Sequence, residues 1–177
     1  MPEDSRTPPP GSFGLALREA RPTDIDALAR LEAESFSSDR LSRRSLVSLA
    51  KSPSACLLVA SGADEPVGYA VFLTRRGAQS ARLYSIAVDS NVTGRGVGSR
   101  LLLAAESEAR RRGATRMHLE VRADNAAAVR FYEKSGYQHV GQRPGYYQDG
   151  ATALLFSREL AAPKAATPPA RRLHRAA

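Results

Sequence analysis

The stretch Leu83-Tyr84-Ser85-Ile86-Ala87-Val88-Asp89, followed by Thr93-Gly94-Arg95-Gly96-Val97-Gly98-Ser99, decides how this chain folds. An apolar, β-prone run ends and glycines follow at alternate positions. Val97, Leu101, Leu102, Ala105 and Ala109 then recur at helical spacing until Arg112-Gly113. The first N–H groups of a helix have no internal partner and lie at the positive end of its macrodipole. Glycine lets an anion come close to the backbone and permits positive φ. Such a turn can cradle a phosphate. It is not a P-loop, because no lysine-hydroxyl pair follows the glycines, and the G-x-G-x-G spacing after a meander is not the dinucleotide fingerprint. On spacing alone, a glycine-rich turn with no ligand stays open as the plain alternative.

Working outward, Leu15 to Arg18 reads as a short strand, and Thr23, after Pro22, as the N-cap of an amphipathic helix over residues 24–35 carrying Ile25, Leu28 and Leu31. A second helix is expected from Arg43 to Lys51, stopping before Ser52-Pro53. Ala55 to Ser61 and Val67 to Thr74 form a hairpin around the turn Gly62 to Pro66, and Ala81 to Val88 is the fourth strand. Beyond the glycine turn and its helix, Arg116 to Val121 is a strand with Met117, Leu119 and Val121 on one face and His118 and Glu120 on the other. Asp124 or Asn125 caps a helix ending at Ser135-Gly136. Tyr137 to Gly141 and Thr152 to Leu160 are closing strands. The order β-α-α-β-β-β-α-β-α-β-β predicts an α/β layered domain with a mostly antiparallel central sheet flanked by helices.

The chain has 177 residues, enough for one domain with a sizeable core. Its single cysteine, Cys56, excludes an internal disulfide and a multi-thiolate zinc site, and it reads as a small core residue. No apolar run is long enough to span a membrane. The start, Met1 to Phe13, is polar and proline-rich rather than signal-like, so a cytoplasmic protein is expected. Residues 1–14 and 161–177 read as disordered tails, the second basic, around a body over 15–160. Of the net charge of +8, residues 161–177 carry +4 and residues 1–14 carry −1, which leaves +5 on the body. That balance suits an anionic ligand, while 6% aromatic residues and no tryptophan disfavour nucleic acid.

Residues 81–137 resemble the GNAT acetyltransferase superfamily. Leu83 to Asp89 is similar to its fourth strand and Thr93 to Gly98 to its pyrophosphate loop. Asn125-Ala126-Ala127-Ala128-Val129-Arg130-Phe131-Tyr132-Glu133-Lys134-Ser135-Gly136-Tyr137 is similar to its following helix. Leu119-Glu120-Val121-Arg122-Ala123-Asp124-Asn125, with Arg143-Pro144-Gly145-Tyr146-Tyr147 downstream, resembles the RimI type, the ribosomal-protein alanine N-acetyltransferases. The family loop usually begins with glutamine or arginine, and this chain has Thr93 there, so Arg95 or backbone amides would have to hold the anion.

The resemblance implies the GNAT acyl-CoA N-acyltransferase fold, acetyl-CoA as cosubstrate and no metal. Ile86, Ala87 and Val88 would pair with the pantetheine amides from a splayed strand. Gly94, Arg95, Gly96, Val97, Gly98 and Ser99 would hold the pyrophosphate, and Asn125 would meet the pantetheine arm. Amine acetylation needs a neutral nucleophile and a protonated leaving thiolate. By resemblance Glu120 is the base, acting through water, and Tyr132 the acid on sulfur. Tyr146 and Tyr147 would close over the acceptor, and residues 36–44 would help to wall its site. Read without the resemblance, Glu120 is a solvated strand-end charge, Tyr132 a core tyrosine and His118 a structural histidine.

The expected activity is transfer of acetyl from acetyl-CoA to the N-terminal α-amine of a protein or peptide, by a monomer or homodimer. The alternatives are a GNAT enzyme for a small amine (polyamine, amino acid or antibiotic) and a non-enzymatic acetyl-CoA sensor or RNA- or ribosome-binding module using Arg171-Arg172-Leu173-His174-Arg175.

Overall fold

The computed structural model describes residues 14–63 and 65–160. The tails expected over 1–14 and 161–177 lie outside them, apart from Gly14. The elements are β1 (Ala16–Glu19), α1 (Ile25–Ser35), α2 (Arg43–Lys51), β2 (Ala55–Gly62), β3 (Glu65–Thr74), β4 (Ser80–Val88), α3 (Val97–Arg111), β5 (Arg116–Arg122), α4 (Ala126–Lys134), β6 (Gln138–Arg143) and β7 (Ala153–Glu159). They form one seven-stranded sheet in the order β1-β2-β3-β4-β5-β7-β6. Only the β4–β5 pairing is parallel. The mixed, mostly antiparallel α/β architecture expected from the element order is the one observed.

Two local readings are corrected. Thr23 does not cap α1: Pro22–Asp24 form a short 3-10 turn, and Asp24 occupies the cap position. Its carboxylate accepts from the Arg21 backbone N–H and pairs with Arg18 on β1, an anchor that the hydroxyl of Thr23 cannot offer. The β2–β3 hairpin is also tighter than expected, because Glu65 and Pro66 already belong to β3 and pair with Gly62 and Ser61.

The sheet is covered on both faces. Cys56, Leu58 and Ala60 of β2 and Ala70 and Phe72 of β3 pack with Leu101, Leu102 and Ala105 of α3. Their neighbours Leu57, Val59, Tyr69 and Val71 face Leu28, Leu31 and Leu46 of α1 and α2. Strands buried on both sides have no polar face to show, hence the unbroken apolar run at 55–60. Truncating one of these leucines to alanine costs about 2–5 kcal/mol.

One irregularity shapes the site. β4 pairs with β3 through Phe72↔Leu83 and then Val71↔Ser85, so Tyr84 is an extra, bulged residue. A bulge bends its strand and increases the local twist. β4 pairs with β5 only from Ser80↔Arg116 to Leu83↔Leu119, and beyond that point the two strands part. Residues 84–88 and 120–122 therefore line the two sides of a cleft.

Candidate active site

The cleft is part of a cavity of about 1180 Å³. The structure brings most of the sequence-predicted residues to its wall: Ile86, Ala87, Val88, Gly94, Gly96, Val97, Gly98, Ser99, Glu120, Asn125, Tyr132, Tyr146 and Tyr147. Arg95, inside the glycine turn, is exposed and does not line the cavity. Of residues 36–44, expected to help wall an acceptor site, Phe36, Ser38, Asp39, Arg40 and Leu41 line the cavity and Ser37, Ser42, Arg43 and Arg44 do not.

At one end, Gly94 (φ 81°) and Gly96 (φ 76°) take up the left-handed conformation, and Gly96 starts α3 without a side-chain cap. The first bond into the helix runs from Arg100 N to Gly96 O, so the amides of Val97, Gly98 and Ser99 have no partner within it. Gly98 serves differently. Its φ is ordinary, and a Cβ there would sit 3.7 Å from Phe131 and Val88, normal contact distances. Positive φ thus calls for glycine at Gly94 and Gly96, whereas the protein itself leaves room for a side-chain carbon at Gly98. Thr93 turns its hydroxyl back onto the Asp89 carbonyl, at 3.2 Å, which closes the preceding turn. Asn125 caps α4, its Oδ1 accepting from Ala128 N at 3.0 Å, so that oxygen is already engaged.

At the other end stands Glu120, with a side chain only 10% exposed. Its Oε2 accepts from Arg82 Nε at 2.9 Å, and Arg82 Nη2 donates to the Tyr146 hydroxyl, also at 2.9 Å. Arg82 further stacks on the exposed ring of bulged Tyr84. The reading of Glu120 as a solvated strand-end charge is replaced by that of a largely buried carboxylate with one oxygen held. His118 shares its face but bonds Ser80 Oγ at 2.9 Å and does not line the cavity. Burial pushes its imidazole below the usual range.

Tyr132 is buried on α4, with Phe131 and Tyr137 edge-on to its ring. Among the described residues no fully buried side-chain oxygen lacks a hydrogen bond. The Tyr132 hydroxyl has no hydrogen-bond partner there, so it reaches the cavity it lines. Burial pushes its phenol well above the ordinary tyrosine range, so it remains protonated. The neighbouring Tyr147 is pushed up to about 12, mainly by burial.

Sequence reasoning missed Arg82 altogether, and also a polar chain in the wall of the same cavity. Glu32 on α1 is buried and accepts from Leu41 N at 2.7 Å and from the Tyr69 hydroxyl, which also meets Ser85 Oγ at 3.0 Å. Burial raises the Glu32 carboxyl above its usual range. The available signal was periodicity, since Glu32 follows Leu28 by four residues and so falls on the apolar stripe of α1. Away from the cavity, Glu19, Cys56 and Glu108 bring potential ligand atoms within 4.8 Å of one another. Glu108 is already paired with Arg111 and Arg112, and burial pushes the Cys56 thiol up to about 11. Cys56 is a core residue, as expected. No helix among the described residues is long and apolar enough to cross a membrane.

The profile of the acetyltransferase (GNAT) family matches residues 25–137. An uncharacterised Mycobacterium leprae protein is 39% identical over 151 residues, covering 82% of this chain but only 41% of that protein, so this chain spans about two fifths of its length. A Bacillus subtilis protein provisionally named as a [ribosomal protein bS18]-alanine N-acetyltransferase is 32% identical over 143 residues, 80% of this chain and 93% of its own. The crystal structure of Ard1 from Thermoplasma volcanium superposes with a TM-score of 0.75 at 30% identity, over 83% of this chain and 98% of that one.

Proposed function

Because this chain belongs to the acetyltransferase (GNAT) family, we propose that it moves the acetyl group of acetyl-CoA to the N-terminal α-amine of a protein or peptide. The observation that carries the reading is the single cavity that joins the free amides of α3 to Glu120, Tyr132, Tyr146 and Tyr147 through the cleft between β4 and β5. The residues fit the cosubstrate. Three amides at a helix N-terminus suit a pyrophosphate. The unpaired flank of Ile86, Ala87 and Val88 suits the amides of an extended pantetheine arm. Acetyl-CoA supplies the thioester carbonyl that the amine attacks and the thiolate that leaves.

The chain's own residues do the rest. Arg82 holds Glu120 Oε2, which leaves Oε1 to accept the amine proton directly or through water. Tyr132, kept protonated by burial, gives its hydroxyl proton to the departing sulfur. Tyr146 and Tyr147 lie against the acceptor and hold a peptide backbone by hydroxyl and ring. The name of the Bacillus subtilis relative supports an alanine α-amine as acceptor.

A second reading rests on Arg40 and Arg82, both in the cavity wall. Guanidinium groups bind carboxylates bidentately, which would favour a small acidic amine. Isotopic acetyl transfer decides between the two. The expected acceptor is a short peptide with a free N-terminal alanine or serine, and blocking its α-amine should abolish transfer even with a lysine present. Transfer to spermidine or a free amino acid alone would overturn the peptide reading.

A further inference from the structure

We propose that Arg122 is a positioning residue that fastens the acceptor-side loop, and thereby sets how well the amine acceptor binds; this rests on the reading of Tyr146 and Tyr147 given above. Arg122 ends β5, two residues past Glu120 and on the same face. Its guanidinium bonds Asp124 at 3.1 and 3.0 Å, and reaches Asp149 with two parallel bonds of 3.1 and 2.8 Å. The face of the same group lies 4.9 Å from the centre of the Tyr147 ring. A planar fork is the one side chain that can do all three.

The segment it holds, 144–152, is a self-closed loop. Tyr146 N and Tyr147 N both donate to Ala151 O, Gly150 N to Tyr147 O, and Ala151 N to Asp149 Oδ1. A loop closed on itself moves as one piece, so where it is tied decides where both tyrosines sit. Arg82 ties it at the Tyr146 hydroxyl, Ala123 N bonds Thr152 O at its far end, and Arg122 ties it at Asp149 and the Tyr147 ring. Arg122 also lines the cavity but makes no hydrogen bond with Glu120 or Tyr132, so an effect carried by the loop should appear in the acceptor KM rather than in kcat. Lysine keeps the charge but loses the fork and the stack.

The test compares wild type with Arg122→Lys, Arg122→Ala and Asp149→Asn, each shown to be folded by circular dichroism. Asp124→Asn is the control, because it removes a partner of Arg122 that is not on the loop. Steady-state rates are measured with acetyl-CoA and an N-terminal alanine peptide, and amide hydrogen exchange is followed over 144–152. Expected are faster exchange in that segment, an acceptor KM raised about fivefold, and a kcat and acetyl-CoA KM within about twofold of wild type, with Asp124→Asn near wild type. Unchanged exchange in folded Arg122→Ala overturns the tie. Faster exchange with an unchanged acceptor KM overturns its role in binding. A Tyr146→Ala/Tyr147→Ala variant with unaltered acceptor KM would instead sink the acceptor reading, while the exchange data still report on the loop.

Discussion

Arg82 and Glu120 meet where β4 and β5 have just parted: the last paired residues are Leu83 and Leu119, and Arg82 Nε reaches Glu120 Oε2 at 2.9 Å. A carboxylate gripped on one oxygen has a fixed direction for the other, which suits the base proposed above. Glu120→Gln preserves the shape and removes the proton acceptor. The single-turnover rate should fall about 10²-fold, and most at low pH, where neutral amine is scarcest. A variant pH–rate profile that overlays wild type would return Glu120 to a structural role.

Tyr132→Phe deletes a hydroxyl that bonds no protein group, so it should leave the melting temperature within a few degrees of wild type. The single-turnover rate should drop about 10²-fold with little change in the KM for acetyl-CoA. Single-turnover measurement matters because slow product release would mask the loss in steady state. An unaltered rate with chemistry limiting removes Tyr132 from the reaction.

The glycines of the turn should separate by conformation. Gly96→Ala forces a side chain into φ 76° and should cost about 1–2 kcal/mol of stability as well as affinity for coenzyme A. Gly98→Ala meets ordinary contacts and should fold normally, whereas Gly98→Glu sets a carboxylate among the α3 amides and should abolish binding without unfolding. Calorimetric titration with coenzyme A, paired with thermal melts, checks both. Unchanged affinity in folded Gly98→Glu overturns the loop assignment.

Asp24 gives a stability signature in acid. The hydrogen bond from Arg18 holds its carboxyl below the usual 3.8, against the opposing effect of burial. A lowered folded-state pKa stabilises above the unfolded value, and that contribution is lost as pH falls through the folded value. Asp24→Asn should therefore melt about 2–4 °C lower than wild type at pH 7. The gap should close as pH drops below 3.8. A gap that does not vary with pH would mean that the ion pair with Arg18 contributes nothing.

What was legible in the chain was local. The limits of α2 follow from Ser42, whose hydroxyl accepts from Ser45 N, and from Ser52-Pro53, and the structure shows Arg43–Lys51 as expected. The glycine turn and the alternation of β5 were equally plain, because each depends on neighbours within a few residues. The partners of the site residues were not. Arg82 is 38 residues from Glu120, Arg122 is 27 from Asp149, and Glu32 is 37 from Tyr69. Polar pairs across such spans leave no period in the sequence. Thr23 shows the opposite failure: its local signal was sound, but the ion pair between Asp24 and Arg18 outweighed it.

The short parallel pairing between β4 and β5 makes the sheet two leaves, β1 to β4 and β5-β7-β6, stitched by four residue pairs. The layer with α3 runs across the stitching, joining Phe72 and Leu83 on one leaf to Met117, Leu119 and Phe156 on the other. The layer with α1 and α2 stops at Ala87 and draws nothing from the second leaf. The protein is thus built like a book, with a spine on one side only. An extended ligand lying in the open gutter would complete the missing ladder between the leaves and act as a splint. Binding of such a ligand would then also stabilise the fold, in proportion to its concentration over its dissociation constant.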